Sequence, residues 1–192
     1  VRQKTVEVVE RQLSAIGLDY IDSMLIHFPH PGDPAVNLVC SDEVQWSVLE
    51  EYYKAGKIKH IGVSNYEIRH FEELKKTAEI LPMINQIEFH VGYQQSELVD
   101  YCHANGIVVE AYKPLGQGKV FNVEEIQTVA QKYNKNVSQL CLRYCLQKEV
   151  LAIPKTSSAV RLAENIDIFD FEISAADMAK LDSISLPPVV SE

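Results

Sequence analysis

Leu151-Ala152-Ile153-Pro154-Lys155-Thr156, with Arg161 and Glu164-Asn165 just beyond it, decides how the rest of the chain is read. A short apolar run ends on a cation and a hydroxyl, and a helical pattern follows, so the stretch reads as a strand that feeds a helix. Its chemistry suits a phosphate. Lys155 offers a point charge, Thr156 a hydroxyl donor and Arg161 a planar fork, and the first N–H groups of the following helix add positive potential. The same residues also suit an ordinary strand-to-helix turn with solvated charges, and the weight between the two readings comes from the rest of the sequence.

The strand-to-helix step recurs upstream. Residues 19–28 are a nearly continuous apolar run that reads as a buried strand, ending in His27-Phe28 and the loop Pro29-His30-Pro31-Gly32-Asp33-Pro34. Residues 58–63 form a second strand ending in Ser64-Asn65, with Asn65 placed to cap a helix that carries Ile68, Phe71, Leu74 and Ala78 and breaks at Leu81-Pro82. Residues 83–90, 107–112 and 150–153 read as three more strands. Helical stripes lie between them: Leu98, Val99 and Cys102, capped by Ser96 and stopped by Gly106; then Val123, Ile126, Val129, Ala130 and Tyr133; then residues 137–146, capped by Asn136. A short helix is expected near Arg161 and a last one from Ser174, with Asp177 at the capping-box position. Ahead of the first strand, Val6, Val9, Leu13 and Ile16 share one helical face; after it, Trp46, Leu49 and Tyr53 make a stripe stopped by Gly56.

Strands that alternate with helices and show no hairpin signals predict an α/β fold with parallel neighbours. No Gly-x-Gly-x-x-Gly follows any strand, and polar groups gather at the C-terminal end of each, which favours a (β/α)8 TIM barrel over a doubly wound dinucleotide fold. Five strands do not close such a barrel. The expectation is a single domain over residues 1–192, incomplete as a barrel, and a sequence that opens Val1-Arg2-Gln3 inside a helical pattern implies a segment upstream.

With 192 residues, 46% hydrophobic and 23% charged, the chain can bury a sizeable core. A net charge of -9 argues against nucleic acid or an anionic membrane as the main partner, so Lys155 and Arg161 are a local exception to the field. Cys40, Cys102, Cys141 and Cys145 show no Cys-x-x-Cys spacing and read as buried free thiols. Without a long apolar run or a signal peptide, the expected location is the cytoplasm. Asn136-Val137-Ser138 matches a glycosylation sequon but opens a helix, which makes Asn136 a cap.

In order, the strand ends offer His27, Ser64 with Asn65, Gln86 with His90, Tyr112, and Lys155 with Thr156. Taken singly, His27 suits a core histidine, Ser64-Asn65 a helix cap and Tyr112 a core aromatic. Taken together, they supply hydroxyl and amide groups able to hold a carboxamide beside an aromatic face for a flat ring. His27 and His30 have no third ligand at a convincing spacing for a metal. Spacing alone leaves open a glycosidase-like carboxylate pair among Asp19, Asp22 and Glu88, but that reading leaves Lys155 unexplained.

The motifs Leu25-Ile26-His27-Phe28-Pro29, Ile61-Gly62-Val63-Ser64-Asn65, Asn85-Gln86-Ile87-Glu88, Ala111-Tyr112-Lys113-Pro114-Leu115-Gly116 and Ile153-Pro154-Lys155-Thr156 with Arg161-Leu162-Ala163-Glu164-Asn165 resemble the aldo-keto reductase superfamily, in family order and over essentially the whole chain. The resemblance implies strands four to eight of the barrel and NADPH-dependent hydride transfer to a small aldehyde or ketone. It also implies that Ser64, Asn65 and Gln86 hold the nicotinamide carboxamide and that Tyr112 stacks under the ring. By the same resemblance Lys113 and Leu115 flank the cofactor, Lys155, Thr156 and Arg161 bind the 2′-phosphate, and Glu164 and Asn165 lie at the adenine end. His27 corresponds to the histidine that hydrogen-bonds the substrate carbonyl, and Phe28 to a substrate wall where many members carry Trp. Lys113 departs from the family's small hydroxyl residue, which adds a pyrophosphate contact or disturbs one. The family's catalytic Asp, Tyr and Lys lie on strands upstream of this sequence, and the tail after Leu186 is short for a substrate-selecting loop. The resemblance implies a monomer when complete. A rival reading is a non-catalytic NADP(H)-binding barrel acting as a sensor or structural protein.

Overall fold

The computed structural model describes residues 1–30 and 42–189, so Cys40 and most of the loop after Pro29 lie outside the described residues. In order the elements are α1 (Arg2–Ile16), β1 (Ile21–Ile26), α2 (Asp42–Lys54), β2 (Ile58–Ser64), α3 (Ile68–Leu74), β3 (Ile84–Glu88), α4 (Ser96–Ala104), β4 (Val108–Tyr112), a 3-10 segment (Gly116–Asn122), α5 (Glu124–Lys132), α6 (Val137–Gln147), β5 (Val150–Ala152), α7 (Ala159–Ile166) and α8 (Ala175–Asp182). Among the described residues the strands of the sheet follow chain order, β1-β2-β3-β4-β5. The predicted α/β alternation is therefore what the chain adopts. Among the described residues no helix is long and apolar enough to cross a membrane.

Two compact units divide the chain: Val1–Gln86 with Tyr101–Ile107, and Ile87–Asp100 with Val108–Glu192. In the first, β1 pairs parallel to β2 from Ile21↔Ile58 to Ile26↔Val63, and β2 pairs parallel to β3 from Gly62↔Ile84 to Ser64↔Gln86. Gly62 on β2 faces Leu25 on β1 and Ile84 on β3. A Cβ there would lie 2.6 Å from Leu25 Cδ2 and 2.7 Å from the Ile84 carbonyl oxygen, so only glycine fits. Trp46, Ile58, Ile61, Val63, Tyr66 and Phe71 fill this unit's core, each contributing about 1.5–3 kcal/mol by burial.

Several expectations change here. The strand at residues 19–28 is shorter and less buried than its apolar composition suggests, because Asp22 and Ser23 are exposed. Helix α3 ends at Leu74, well before Leu81-Pro82, because α2 holds the chain beyond it in another conformation. The Glu50 carboxylate accepts the N–H groups of Glu79 and Ile80, each at 2.8 Å, and Trp46 Nε1 donates to the Ile80 carbonyl at 2.9 Å. Ser96 is the first residue of α4 rather than a residue ahead of it.

In the second unit β4 pairs parallel to β5 from Val109↔Val150 to Ala111↔Ala152. Helix α6 buries Leu140, Cys141, Leu142, Tyr144 and Cys145, and Phe89 stacks on Tyr144 with ring centroids 6.2 Å apart. Asn136 caps α6 in a capping box with Gln139. Ser174 caps α8, and the Lys132 ammonium and Tyr133 hydroxyl hold the Asp177 carboxyl well below its usual range. Cys102, Cys141 and Cys145 are free and buried, and burial pushes the Cys102 thiol up to about 11 and the Cys145 thiol up to about 12.

Candidate functional site

The first unit gathers polar groups at the C-terminal ends of its strands. His27 lies one residue beyond β1, exposed, with its ring 4.8 Å from that of Phe28, itself 57% exposed. Ser64 closes β2 and is buried; its hydroxyl donates to the Gln86 carbonyl at 2.8 Å. Asn65 does not cap α3. It adopts φ 61, a left-handed conformation that Asn tolerates better than most residues, and the α3 cap falls to Glu67, whose N–H donates to His70 Nδ1 at 3.0 Å. From that conformation the Asn65 N–H donates to the Gln86 carbonyl at 2.9 Å, and Nδ2 donates to the His27 carbonyl at 2.9 Å and to Ser64 Oγ at 3.1 Å. One residue thus ties the end of β2 to the end of β1 and to the middle of β3, bringing His27, Ser64, Asn65 and Gln86 together.

In the second unit Tyr112 closes β4, half-buried, and burial followed by the nearby Glu88 carboxylate raises its phenol above the usual range. Lys113 follows at φ 52, a conformation costing about 1–2 kcal/mol for a residue with a Cβ. Its ammonium donates to the Val189 carbonyl at 3.1 Å, lies 3.9 Å from Glu88 Oε2 and sits 5.6 Å from the Tyr112 ring centroid. Leu115 precedes the 3-10 segment.

Sequence reasoning missed the network that surrounds Glu88 and His90. His90 is fully buried, with Nδ1 2.9 Å from the Val91 carbonyl and Nε2 3.2 Å from Glu88 Oε1. A carbonyl only accepts, so Nδ1 carries a proton. Gly116 lies against this ring; a Cβ there would sit 3.4 Å from it. The legible signal was the Glu-x-His spacing, which places both side chains on one face of an extended segment.

At the end of β5, Lys155 is exposed, and Thr156 Oγ1 accepts the Ser158 N–H at 3.1 Å. Ser158 caps α7, accepting the Arg161 N–H at 3.4 Å. Arg161 and Glu164 are exposed and Asn165 is half-buried. Among the described residues neither Lys155 nor Arg161 forms an ion pair with a carboxylate. A flexible ammonium and a planar guanidinium on either side of a helix cap make a donor set that fits a phosphate.

Parallel strands that each lead into a helix, with polar groups at their C-terminal ends, define an α/β protein of the (β/α)8 type. A profile of the aldo/keto reductase family matches residues 2–186. Glyoxal reductase of Bacillus subtilis is 45% identical over 95% of this chain and 63% of its own length. The crystal structure of an aldo/keto reductase from Brucella melitensis superposes with a TM-score of 0.85 at 33% identity, over 94% of this chain and 67% of that one. A Bombyx mori aldo-keto reductase in complex with NADP gives a TM-score of 0.83 at 33% identity, over 95% and 63%. The chain belongs to the aldo/keto reductase family, and it spans 63% of the length of the Bacillus subtilis relative.

Proposed function

We propose that the protein carrying this chain is an NADP(H)-dependent oxidoreductase that reduces a small aldehyde or ketone to an alcohol, as a cytoplasmic monomer in which residues 1–192 belong to one barrel domain. The observation that carries the cofactor choice is the pair Lys155 and Arg161, exposed and without a carboxylate partner among the described residues on a chain of net charge -9. Two cations match the one phosphate that distinguishes NADP from NAD, with Thr156 as a hydroxyl donor. Glu164 and Asn165 take the adenine end. A glyoxal reductase and a reductase in complex with NADP among the relatives support the same reading.

Ser64, Asn65 and Gln86 hold the nicotinamide carboxamide, and Tyr112 stacks on the ring, with Lys113 and Leu115 on the flanking loop. NADPH, when bound, supplies a hydride. His27 donates a hydrogen bond to the substrate carbonyl oxygen and orients it for proton transfer, while Phe28 gives an apolar wall. In the whole enzyme, Arg161→Ala weakens NADPH by about 1.5–3 kcal/mol, the range for a charge-assisted hydrogen bond, and NADH far less. Fluorescence titration with both cofactors checks this, and equal losses overturn the 2′-phosphate assignment.

A further inference from the structure

Beyond α8 the backbone runs back over the second unit as a strap. The Leu186 N–H donates to the Gly92 carbonyl at 2.8 Å, and the Lys119 ammonium donates to the carbonyls of Pro187 and Pro188 at 3.2 and 3.1 Å. Val189 is buried, and charged side chains meet its main chain from both sides. Its N–H donates to Glu88 Oε1 at 2.5 Å, and its carbonyl accepts from Lys113 Nζ at 3.1 Å. The Glu88 carboxylate is itself buried, with its side chain 8% exposed, and the Lys113 side chain is 21% exposed.

We propose that Glu88 and Lys113 are positioning residues: a clamp that holds the C-terminal strap down by gripping the peptide groups of Val189, and through it fixes the loop 113–118. Both contacts are charge-assisted hydrogen bonds in a partly dry environment, where such bonds are stronger than between neutral groups. Because both contacts are to the main chain, the clamp recognises an N–H and a carbonyl and not a particular side chain at position 189. Pro187 and Pro188 restrict φ just ahead of it, which narrows the conformations from which Val189 must be captured. Lys113 serves two ends at once. Its left-handed backbone shapes the loop after Tyr112, and its ammonium binds the strap, so the strap cannot lift without removing the partner that sets this side chain. The clamp does not depend on what the protein binds.

Hydrogen–deuterium exchange on the full chain tests the clamp, reading the Leu186 and Val189 N–H groups and the loop 113–118 against α6 as an internal control. Lys113→Met and Glu88→Gln speed exchange in strap and loop by about tenfold or more and leave α6 unchanged. Lys113→Arg, which restores a cationic donor, stays within about threefold of the parent chain. Val189→Pro removes the N–H together with the valine side chain and speeds exchange at Leu186 and the loop, whereas Val189→Ala, which trims the side chain but keeps both peptide groups, changes it far less. Unchanged exchange in a folded Lys113→Met variant overturns the proposal. Equal acceleration by Val189→Ala and Val189→Pro does the same, because it assigns the strap to side-chain packing, and this pair decides the matter should the Lys113 and Glu88 variants fail to fold.

Discussion

The end of β2 and the end of β5 present their polar groups in different states. Ser64 and Asn65 are bonded to the neighbouring strands before any ligand arrives, through the carbonyls of Gln86 and His27. Lys155 and Arg161 are exposed, and only the backbone beside them is fixed, by Thr156 and Ser158. The contrast follows the task proposed for each. A group that must present a hydrogen bond at a set angle gains from losing its rotamer freedom in advance, while a cation that neutralises a phosphate acts over a longer range and can stay solvated until the anion arrives.

The largest effect should come from the ordered end. His27→Ala in the whole enzyme lowers carbonyl reduction by roughly two to four decades with cofactor affinity little changed, as measured by steady-state kinetics beside cofactor titration. Full activity would remove the His27 imidazole from the proposed carbonyl contact. Gly62→Ala should strain the packing beneath the same strand ends and cost about 1–3 kcal/mol of stability, read from urea unfolding, because the new methyl meets the Ile84 backbone. A neutral result would mean that β2 can shift. The smallest effect belongs to the open end: Ser158→Ala removes one cap of a surface helix and costs about 1 kcal/mol, seen as faster exchange confined to α7. Should that variant abolish NADPH binding outright, the β5 end would be as preorganised as the β2 end.

Much of this was legible because strand and helix periods are local. The run Ile58 to Ser64 is bounded by Gly56 and by a polar pair, and the capping sequences at Asn136 and Ser174 form the caps they spell. What escaped was non-local. Asn65 looks like an N-cap because Asn is a good one, but its strand neighbours offer the His27 and Gln86 carbonyls, and it meets them from a left-handed backbone in place of the extended one of an N-cap. The helical path does not run on to Leu81 because Glu50, more than a helix away in sequence, takes the N–H groups of Glu79 and Ile80. Glu88 drew attention as a carboxylate in a strand, yet its partner Val189 is 101 residues away, and no spacing rule reaches that far. The motif around Lys113 points to the cofactor, while its bond to the Val189 carbonyl joins residues far apart in sequence that only the fold brings together.

The sulfur atoms carry one more consequence. Cys102 lies in the first unit and Cys141 and Cys145 in the second, all buried and all with thiols that burial keeps protonated at neutral pH. A thiol in that state does not react with an alkylating reagent until its surroundings open. The order in which these three become labelled in dilute denaturant therefore reads out whether each unit unfolds in the same event as the other or in sequence, with no residue replaced and no probe attached beforehand.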